Sequence, residues 1–133
     1  MKKYNIQAVS DALNRINSIN FALIFGSAKD GILDKDDSDI DIAVYLNRKP
    51  DLAVMTDIIG TCQDAGRHEH IDISVLNEAN YLLSFEALGG RLLFCRDREQ
   101  YESFFSLICR IRDDEMMRIK KGYFTLNARV TPQ

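Results

Sequence analysis

Several features are scarce in this sequence, and each scarcity excludes a class of protein. The 133 residues include only two prolines and three cysteines, which argues against proline-rich linkers and against a disulfide-stapled secreted scaffold. No apolar run approaches the roughly 18 residues that a membrane-spanning helix requires, and we expect no signal peptide. Internal repeats and low-complexity segments are also missing. The sequence therefore predicts a single cytoplasmic globular domain over residues 1–133.

Positive charge is also in short supply. The formal net charge is -3 and the pI is about 5.3, whereas proteins that grip long stretches of nucleic acid are usually basic. Extended DNA or RNA binding is therefore disfavoured, while a local pocket for one nucleotide is compatible with this charge. Hydrophobic residues make up 46% of the chain and charged residues 28%, which is typical of a globular domain with a sizeable core.

Hydrophobic periodicity predicts alternating helices and strands. Short continuous apolar runs such as Phe21–Phe25 are typical of buried strands, whereas apolar residues spaced three and four apart are typical of helices. This pattern favours an α/β (α+β) fold, with a core over 20–96 built on a small mixed β-sheet with flanking helices on one side. Asp51 and Asn77 are placed to cap helices. The predicted helices are 6–18, 52–62, 78–88 and a long C-terminal helix at 97–120, and the predicted strands are 21–25, 39–46, 71–76 and 91–95.

A pair of acidic residues lies at the start of the second predicted strand. Successive side chains in a strand point to opposite faces, so Asp39 and Asp41 share one face and Ile40, Ile42 and Val44 share the other. Two carboxylates held side by side repel each other unless a cation lies between them. Hard divalent ions such as Mg²⁺ or Mn²⁺ prefer oxygen ligands and usually share them with substrate phosphates.

A third carboxylate follows on the next predicted strand. Asp72 faces away from Ile71 and Ile73, and it joins Asp39 and Asp41 on one polar face if the two strands are neighbours. Three convergent carboxylates suit a two-metal phosphoryl-transfer site, in which one metal activates the acceptor oxygen and the other holds the triphosphate. The alternative role for Asp72 is that of a general base.

The pair Gly26-Ser27 supplies a candidate phosphate-binding turn. A glycine directly after a buried strand lets the backbone approach a ligand closely, and the N–H groups and serine hydroxyl that follow form an anion-binding turn. A Gly-Ser pair alone carries little weight, and an Asp-x-Asp pair alone often lies on a solvated strand edge. The combination of strand, Gly-Ser, loop, Asp-x-Asp strand and third carboxylate is what favours a functional site.

These motifs together resemble the signature of the polymerase-beta-like nucleotidyltransferase superfamily. The chain is too short for the extra domains of larger members and looks like the minimal nucleotidyltransferase (MNT) branch. The resemblance covers roughly residues 20–120 and implies the polymerase-beta-like nucleotidyltransferase fold. The motifs that carry it are Gly26-Ser27, Ser38–Val44 and Ile71–Ile73, with a weaker likeness over Phe85–Phe94 and Met116–Arg118.

The resemblance implies a function and a set of site residues. Gly26 and Ser27 are expected to contact the triphosphate of ATP, and Asp39, Asp41 and Asp72 are expected to bind Mg²⁺ or Mn²⁺. MNT proteins are commonly paired with HEPN-domain ribonucleases as toxin–antitoxin modules, in which the MNT protein adenylylates a tyrosine of the toxin. The chain is therefore expected to be a protein adenylyltransferase and an antitoxin, and the resemblance leaves open whether it forms homo- or hetero-oligomers.

Two departures from the family pattern keep alternatives open. Eleven residues (28–38) separate Ser27 from the first aspartate, where the family has ten, and we expect the extra residue to be tolerated in the loop at 32–37. Asp30 occupies a position where the family often has arginine, and Lys29 is the expected compensating phosphate contact. A binding-only antitoxin is the first alternative. A small-molecule nucleotidyltransferase is the second, although no further substrate-binding domain is predicted.

Other features have ordinary interpretations. The motif His68-Glu69-His70 has no further ligand at metal-like spacing and is interpreted as a polar loop. The three cysteines are interpreted as free thiols in a reducing compartment. On the last predicted helix, one apolar stripe is expected to face the core (Tyr101, Phe104, Phe105, Ile108 and Ile111). The apolar residues beyond it suit either a partner interface or core packing (Leu107, Met116, Met117 and Ile119).

Overall fold

The computed structural model describes the backbone of residues 2–130 and the side chains of residues 3–122. Within these bounds the chain alternates helices and strands, as its periodicity predicts. The strands are β1 (Lys2–Lys3), β2 (Ile19–Phe25), β3 (Ile32–Leu33), β4 (Ile40–Leu46), β5 (Ile71–Val75) and β6 (Arg91–Cys95). The helices are α1 (Ile6–Asn14), α2 (Leu52–Gly66), α3 (Tyr81–Leu88) and α4 (Arg98–Val130), with one 3₁₀ turn at Gly26–Ala28.

Four of the strands form a mixed sheet in the order β5-β4-β2-β6. Strand β2 is antiparallel to both of its neighbours, while β4 and β5 are parallel and are joined through α2. The predicted mixed sheet is therefore confirmed. A separate antiparallel pair, β1 with β3, was not predicted, because two-residue strands are too short to show an alternating pattern.

Helices cover both faces of the sheet, so the prediction that they lie on one side is wrong. Helices α1 and α2 pack on one face through residues such as Leu13 and Ile58. Helices α3 and α4 pack on the other through Leu88 and Ile108. The reason lies in β2, where all seven residues are buried. Because apolar side chains alternate to both faces of this strand, each face needs its own cover.

The capping predictions have different outcomes. Asp51 caps α2 as predicted, since its side chain accepts a hydrogen bond of 2.8 Å from the Val54 N–H. The assignment of Asn77 as a helix cap is wrong. Its side-chain amide pairs with both the N–H and the carbonyl of Leu46 at 2.8 Å, and Asn80 caps α3 instead. The amide of Asn77 thus extends the β4 ladder, which sequence spacing cannot reveal.

The long C-terminal helix starts where it was predicted, with Asp97 accepting a hydrogen bond of 3.1 Å from the Gln100 N–H. It continues to Val130, past the predicted end at residue 120. Of the predicted core stripe, Tyr101, Phe104, Ile108 and Ile111 pack against α3 and the sheet, while Phe105 is 40% exposed. The apolar residues beyond the stripe, Leu107, Met116, Met117 and Ile119, are all exposed, so core packing, one of their two predicted roles, is wrong for them.

Arg96 ties the end of β6 to the connection between α1 and β2. Its guanidinium donates hydrogen bonds to the carbonyls of Asn14, Ile16 and Ile19. Replacing Arg96 with methionine should lower the free energy of unfolding by about 2–3 kcal/mol, since several carbonyls lose a charged donor. Urea unfolding measures this change. The exposed Arg98, paired with Glu102, offers a control whose loss should cost below about 1 kcal/mol.

Two further expectations concern the environment of the chain. The three cysteines are free thiols, as predicted, and Cys62 is buried. Burial raises the pKa of the Cys62 thiol to about 12, so this thiol is inert at neutral pH. Within the described residues, none of the helices is both long enough and apolar enough to cross a membrane.

Candidate active site

The strand β2 ends in a tight turn that favours glycine. Gly26 has a φ of +80°, a conformation that L-residues rarely adopt. A β-carbon at this position would lie 2.5 Å from Oδ2 of Asp41. The turn continues through Ala28, and the Lys29 N–H donates to the Gly26 carbonyl at 3.4 Å. The turn therefore brings its own backbone into direct contact with a carboxylate of the neighbouring strand.

The sheet register places two of the predicted carboxylates side by side. Phe25 pairs with Asp41 across β2 and β4, and Asp41 pairs with Asp72 across the parallel strands β4 and β5. Paired residues in a ladder point to the same face of the sheet, so Asp41 and Asp72 project together beside the turn. Asp39 lies just before the first residue of β4 and is exposed. The sequence analysis required β4 and β5 to be neighbours in the sheet, and the structure confirms that they are.

Asp41 is the electrostatic centre of this group. Its pKa is raised by burial first, and then by the negative charges of Asp72, Asp39 and Glu86. Burial and these neighbouring negative charges together disfavour the charged form of Asp41. The polar end of β4 is therefore a region of concentrated negative charge, which a bound cation would relieve.

Asp41 should make the stability of the metal-free protein depend on pH. Its pKa is higher in the folded chain than the ordinary value of 3.8, so the folded state binds this proton more tightly than the unfolded state does. Protonated Asp41 therefore stabilises the folded state. This stabilisation is complete at a pH below 3.8 and is lost as the pH rises through the higher pKa of the folded state. Asp41→Asn should remove this part of the profile, as measured by urea unfolding with chelator from about pH 4 to 7. An Asp41→Asn variant whose stability depends on pH as that of the wild type does would contradict this prediction.

A cleft of about 270 Å³ lies beside the glycine turn. Lys29 and Glu86 are the charged residues of its lining. Glu86 was not predicted as a site residue, because its direction depends on how α3 packs over the sheet. That packing is fixed in part by Arg112, whose guanidinium lies 4.2 Å from the centre of the Phe85 ring. The other lining residues are Phe25, Gly26, Phe85, Gly89 and Gly90.

The remaining residues predicted for the site lie on the turn after β2. Ser27 and Lys29 are exposed on the turn, as is Asp30, which stands where the family often has arginine. Beyond them Gly31, with a φ of +81°, redirects the chain, and its carbonyl accepts a hydrogen bond of 2.7 Å from the Tyr4 N–H. The contacts of Ser27 and Lys29 with a triphosphate stay predictions.

The donor set at this site fits a hard divalent ion, because it consists of carboxylate oxygens that repel one another. In the described part of the chain, no three acidic, histidine or cysteine side chains already stand as a ready-made metal site. Metal binding by Asp39, Asp41 and Asp72 therefore stays a prediction. The fold itself pairs Asp41 with Asp72 and brings Gly26 close to the carboxylate of Asp41.

A larger cleft, of about 550 Å³, lies at the opposite end of β4. Its lining amides are already paired within the protein. Asn77 bonds to Leu46, Asn20 accepts from the Asp97 N–H, and Gln100 donates to the Tyr45 hydroxyl at 3.4 Å. Size alone therefore does not mark a functional cleft, and the acidic cluster around Asp41 lies at the other end of β4, beside the glycine turn.

Comparisons with known proteins agree with this fold. A model of the family described as "Polymerase beta, Nucleotidyltransferase" matches residues 7–99. No curated protein matches the sequence. Among solved structures, a toxin–antitoxin with AMP-PNP has a TM-score of 0.70 at 18% identity, covering 92% of this chain and 98% of that one.

Two further solved structures share the fold. The MntA–HepT toxin–antitoxin has a TM-score of 0.65 at 17% identity, covering 92% of this chain and 96% of that one. A tri-AMPylated Shewanella oneidensis HEPN toxin in complex with MNT antitoxin has a TM-score of 0.64 at 15% identity, covering 91% of this chain and 98% of that one. The predicted polymerase-beta-like fold is thus confirmed. Because the family model matches more than half of its residues, this chain belongs to the polymerase beta nucleotidyltransferase family.

Proposed function

We propose that this protein is a Mg²⁺-dependent adenylyltransferase that acts as an antitoxin, transferring AMP from ATP to a tyrosine of a HEPN-domain ribonuclease toxin. The observation that carries the proposal is the contact between the Gly26 turn and Asp41, with Asp72 in register beside it. Family membership supports nucleotidyl transfer. The solved complex of an AMPylated HEPN toxin with an MNT antitoxin supports the class of acceptor.

The glycine turn is the proposed triphosphate site. Gly26 lines the adjoining cleft, and the N–H groups that follow it suit an anion. Ser27 adds a hydroxyl donor, and Lys29 brings a positive charge to the wall of the adjoining cleft. The positive charge of Lys29 thereby offsets the negative charge of Asp30, which repels a triphosphate.

Asp39, Asp41 and Asp72 would hold the metal ions, Mg²⁺ or Mn²⁺. When bound, the ions neutralise the triphosphate and favour deprotonation of the acceptor hydroxyl. The tyrosine oxygen then bonds to the α-phosphorus of ATP while the bond to pyrophosphate breaks. In the alternative to metal binding, Asp72 is suited to accept the tyrosine proton, because it is exposed on β5, the strand at the edge of the sheet.

The acceptor is proposed to dock on the protein surface. A minimal domain has little room for an enclosed acceptor pocket, whereas a tyrosine on a partner protein can reach an exposed carboxylate group from outside. The long helix α4 offers apolar surface for such a partner. Its exposed apolar residues are Phe105, Leu107, Met116, Met117 and Ile119.

Intact-mass spectrometry of the toxin tests this proposal. The toxin should gain one or more AMP units after incubation with this protein, ATP and Mg²⁺, and should gain none with the Asp39→Asn/Asp41→Asn double variant. A toxin that is neutralised at unchanged mass would favour the binding-only antitoxin, for which Asp30 in place of arginine is the supporting observation. AMP transfer to a small hydroxylated acceptor in place of the toxin would favour the small-molecule enzyme.

Ser27→Ala should weaken ATP binding by about 1–3 kcal/mol, because a hydroxyl bonded to a charged phosphate oxygen is lost. Isothermal calorimetry with a non-hydrolysable ATP analogue measures the change. Ser103, exposed on α4, gives a matched Ser→Ala control that should leave the affinity alone. Equal dissociation constants for the Ser27 variant and the wild type would show that Ser27 only shapes the turn.

A further inference from the structure

A buried histidine lies against the loop that delivers Asp39. His68 follows α2 and is only 4% exposed. Its Nε2 lies 2.6 Å from the carbonyl oxygen of Ser38. A carbonyl oxygen only accepts hydrogen bonds, so Nε2 carries the hydrogen and donates it. The bond is part-buried, and a hydrogen bond is electrostatically stronger away from bulk water than on the surface.

The same segment holds the chain on the other side of Asp39. The Ile40 N–H donates to the carbonyl of His70 at 2.9 Å. The carbonyl of Ser38 and the N–H of Ile40 belong to the two peptide groups that flank the Asp39 α-carbon. Because the segment from His68 to His70 fixes both peptide planes, it restricts rotation about both backbone dihedrals of Asp39.

His68 is itself held firmly. The chain turns at Arg67, which has a φ of +51°, a costly conformation for a residue with a side chain. The His68 N–H donates to the carbonyl of Gln63 at 3.2 Å, and the Gln63 side chain donates to the carbonyl of Glu69 at 3.0 Å. The imidazole also packs edge-on against the buried ring of Tyr4, with centroids 6.0 Å apart. The donor therefore has a fixed position.

The preceding loop does not provide comparable support. Ser38 exchanges hydrogen bonds with Lys35, whose N–H donates to the serine hydroxyl at 3.1 Å and whose carbonyl accepts from the Ser38 N–H at 3.2 Å. These bonds close the loop on itself, and residues 34–37 are exposed. Ser38 is instead connected to the core by its hydrogen bond with the buried His68.

We propose that His68 is a positioning residue, which holds Asp39 in place for metal binding by donating a hydrogen bond to the carbonyl of Ser38. The inference rests on the proposed function, which makes Asp39 a metal ligand. Groups that orient metal ligands typically change metal affinity by about 10- to 100-fold when they are removed. His68 would exert its effect through the backbone of the ligand.

Variants at His68 test this inference. His68→Met and His68→Asn remove a donor that reaches Ser38, whereas His68→Gln places an amide N–H near the position of the imidazole Nε2. The first two should weaken Mn²⁺ binding by about tenfold or more, as measured by electron paramagnetic resonance of free Mn²⁺ in the presence of a non-hydrolysable ATP analogue. His68→Gln should restore most of the affinity. Thr56→Met, at an exposed side chain on α2, is the control and should bind as the wild type does.

Two further measurements separate positioning from a general structural role. Hydrogen exchange at the Ile40 amide should be faster in His68→Met and His68→Asn than in the wild type. The Mg²⁺ concentration for half-maximal AMP transfer should rise in these variants, with a smaller effect on kcat at saturating Mg²⁺.

Wild-type Mn²⁺ affinity and wild-type Ile40 exchange in both His68→Met and His68→Asn would overturn the inference. Loss of affinity that His68→Gln fails to restore would overturn it as well. If the wild type neither binds Mn²⁺ nor transfers AMP, the proposed function fails. The positioning role of His68 is then decided by comparing hydrogen exchange at the Ile40 amide in the His68 variants and the wild type. This measurement needs neither metal nor ATP.

Discussion

Asp41→Asn should abolish AMP transfer, with a loss on the order of 10³-fold or more, and should also raise the melting temperature. Both effects follow from the position of the carboxylate, which is partly buried and surrounded by Asp72, Asp39 and Glu86. The negative charge of Asp41, which the proposed function needs for metal binding, is the charge that burial and these neighbours disfavour. Asparagine keeps the shape of the side chain and removes the repulsion. Transfer of labelled AMP and thermal unfolding measure the two effects.

Two controls sharpen this prediction. Asp37→Asn changes an exposed loop carboxylate outside the strand and should leave both properties close to wild type. Added Mg²⁺ with an ATP analogue should raise the melting temperature of the wild type, because a ligand that binds the folded state stabilises it, and should do so far less in Asp41→Asn. Full transfer activity in Asp41→Asn would overturn the site assignment.

Gly26→Ala should lower AMP transfer about 100-fold, because a displacement near 1 Å of a reacting group can cost this much. The new β-carbon would lie 2.5 Å from Oδ2 of Asp41, so the carboxylate must move. The backbone must also keep a φ of +80°, which should lower the free energy of unfolding by about 1 kcal/mol. Activity and urea unfolding, measured on the same preparation, separate displacement from instability.

Gly60 provides the matched glycine control. It lies within α2, and a β-carbon there would meet nothing within 4 Å. Gly60→Ala should therefore stabilise the protein by about 0.5–1 kcal/mol and leave AMP transfer unchanged. If Gly26→Ala behaves like Gly60→Ala, the close approach of the turn to Asp41 has no catalytic importance.

Strand alternation was sufficient to predict which carboxylates share a face. A period of two places Asp41 opposite to Ile40 and Ile42, and the parallel register then pairs Asp41 with Asp72. The pattern could be read because an aliphatic face fixes the register. Sequence therefore predicted the part of the site that depends on the local geometry of two strands.

The parts that depend on packing between elements were not predictable in this way. Tyr45 shares a face with Asp41, yet its ring stacks on Phe21 with centroids 5.0 Å apart. An aspartate at one end of a strand therefore does not make that whole face polar, and helices cover it too. His68 and Glu86 reach the site only after α2 and α3 have packed, and their spacing in sequence carries no sign of this.

The loop over residues 34–37 is anchored at both ends. It follows Leu33, which is buried in the strand pair with β1, and it ends at Ser38, which His68 holds. The entropy of closing such a loop changes only slowly with its length. Residues can therefore be gained or lost here during evolution without moving Asp39. A search that demands a fixed distance between the Gly-Ser and Asp-x-Asp motifs would pass over functional relatives whose loops have drifted in length.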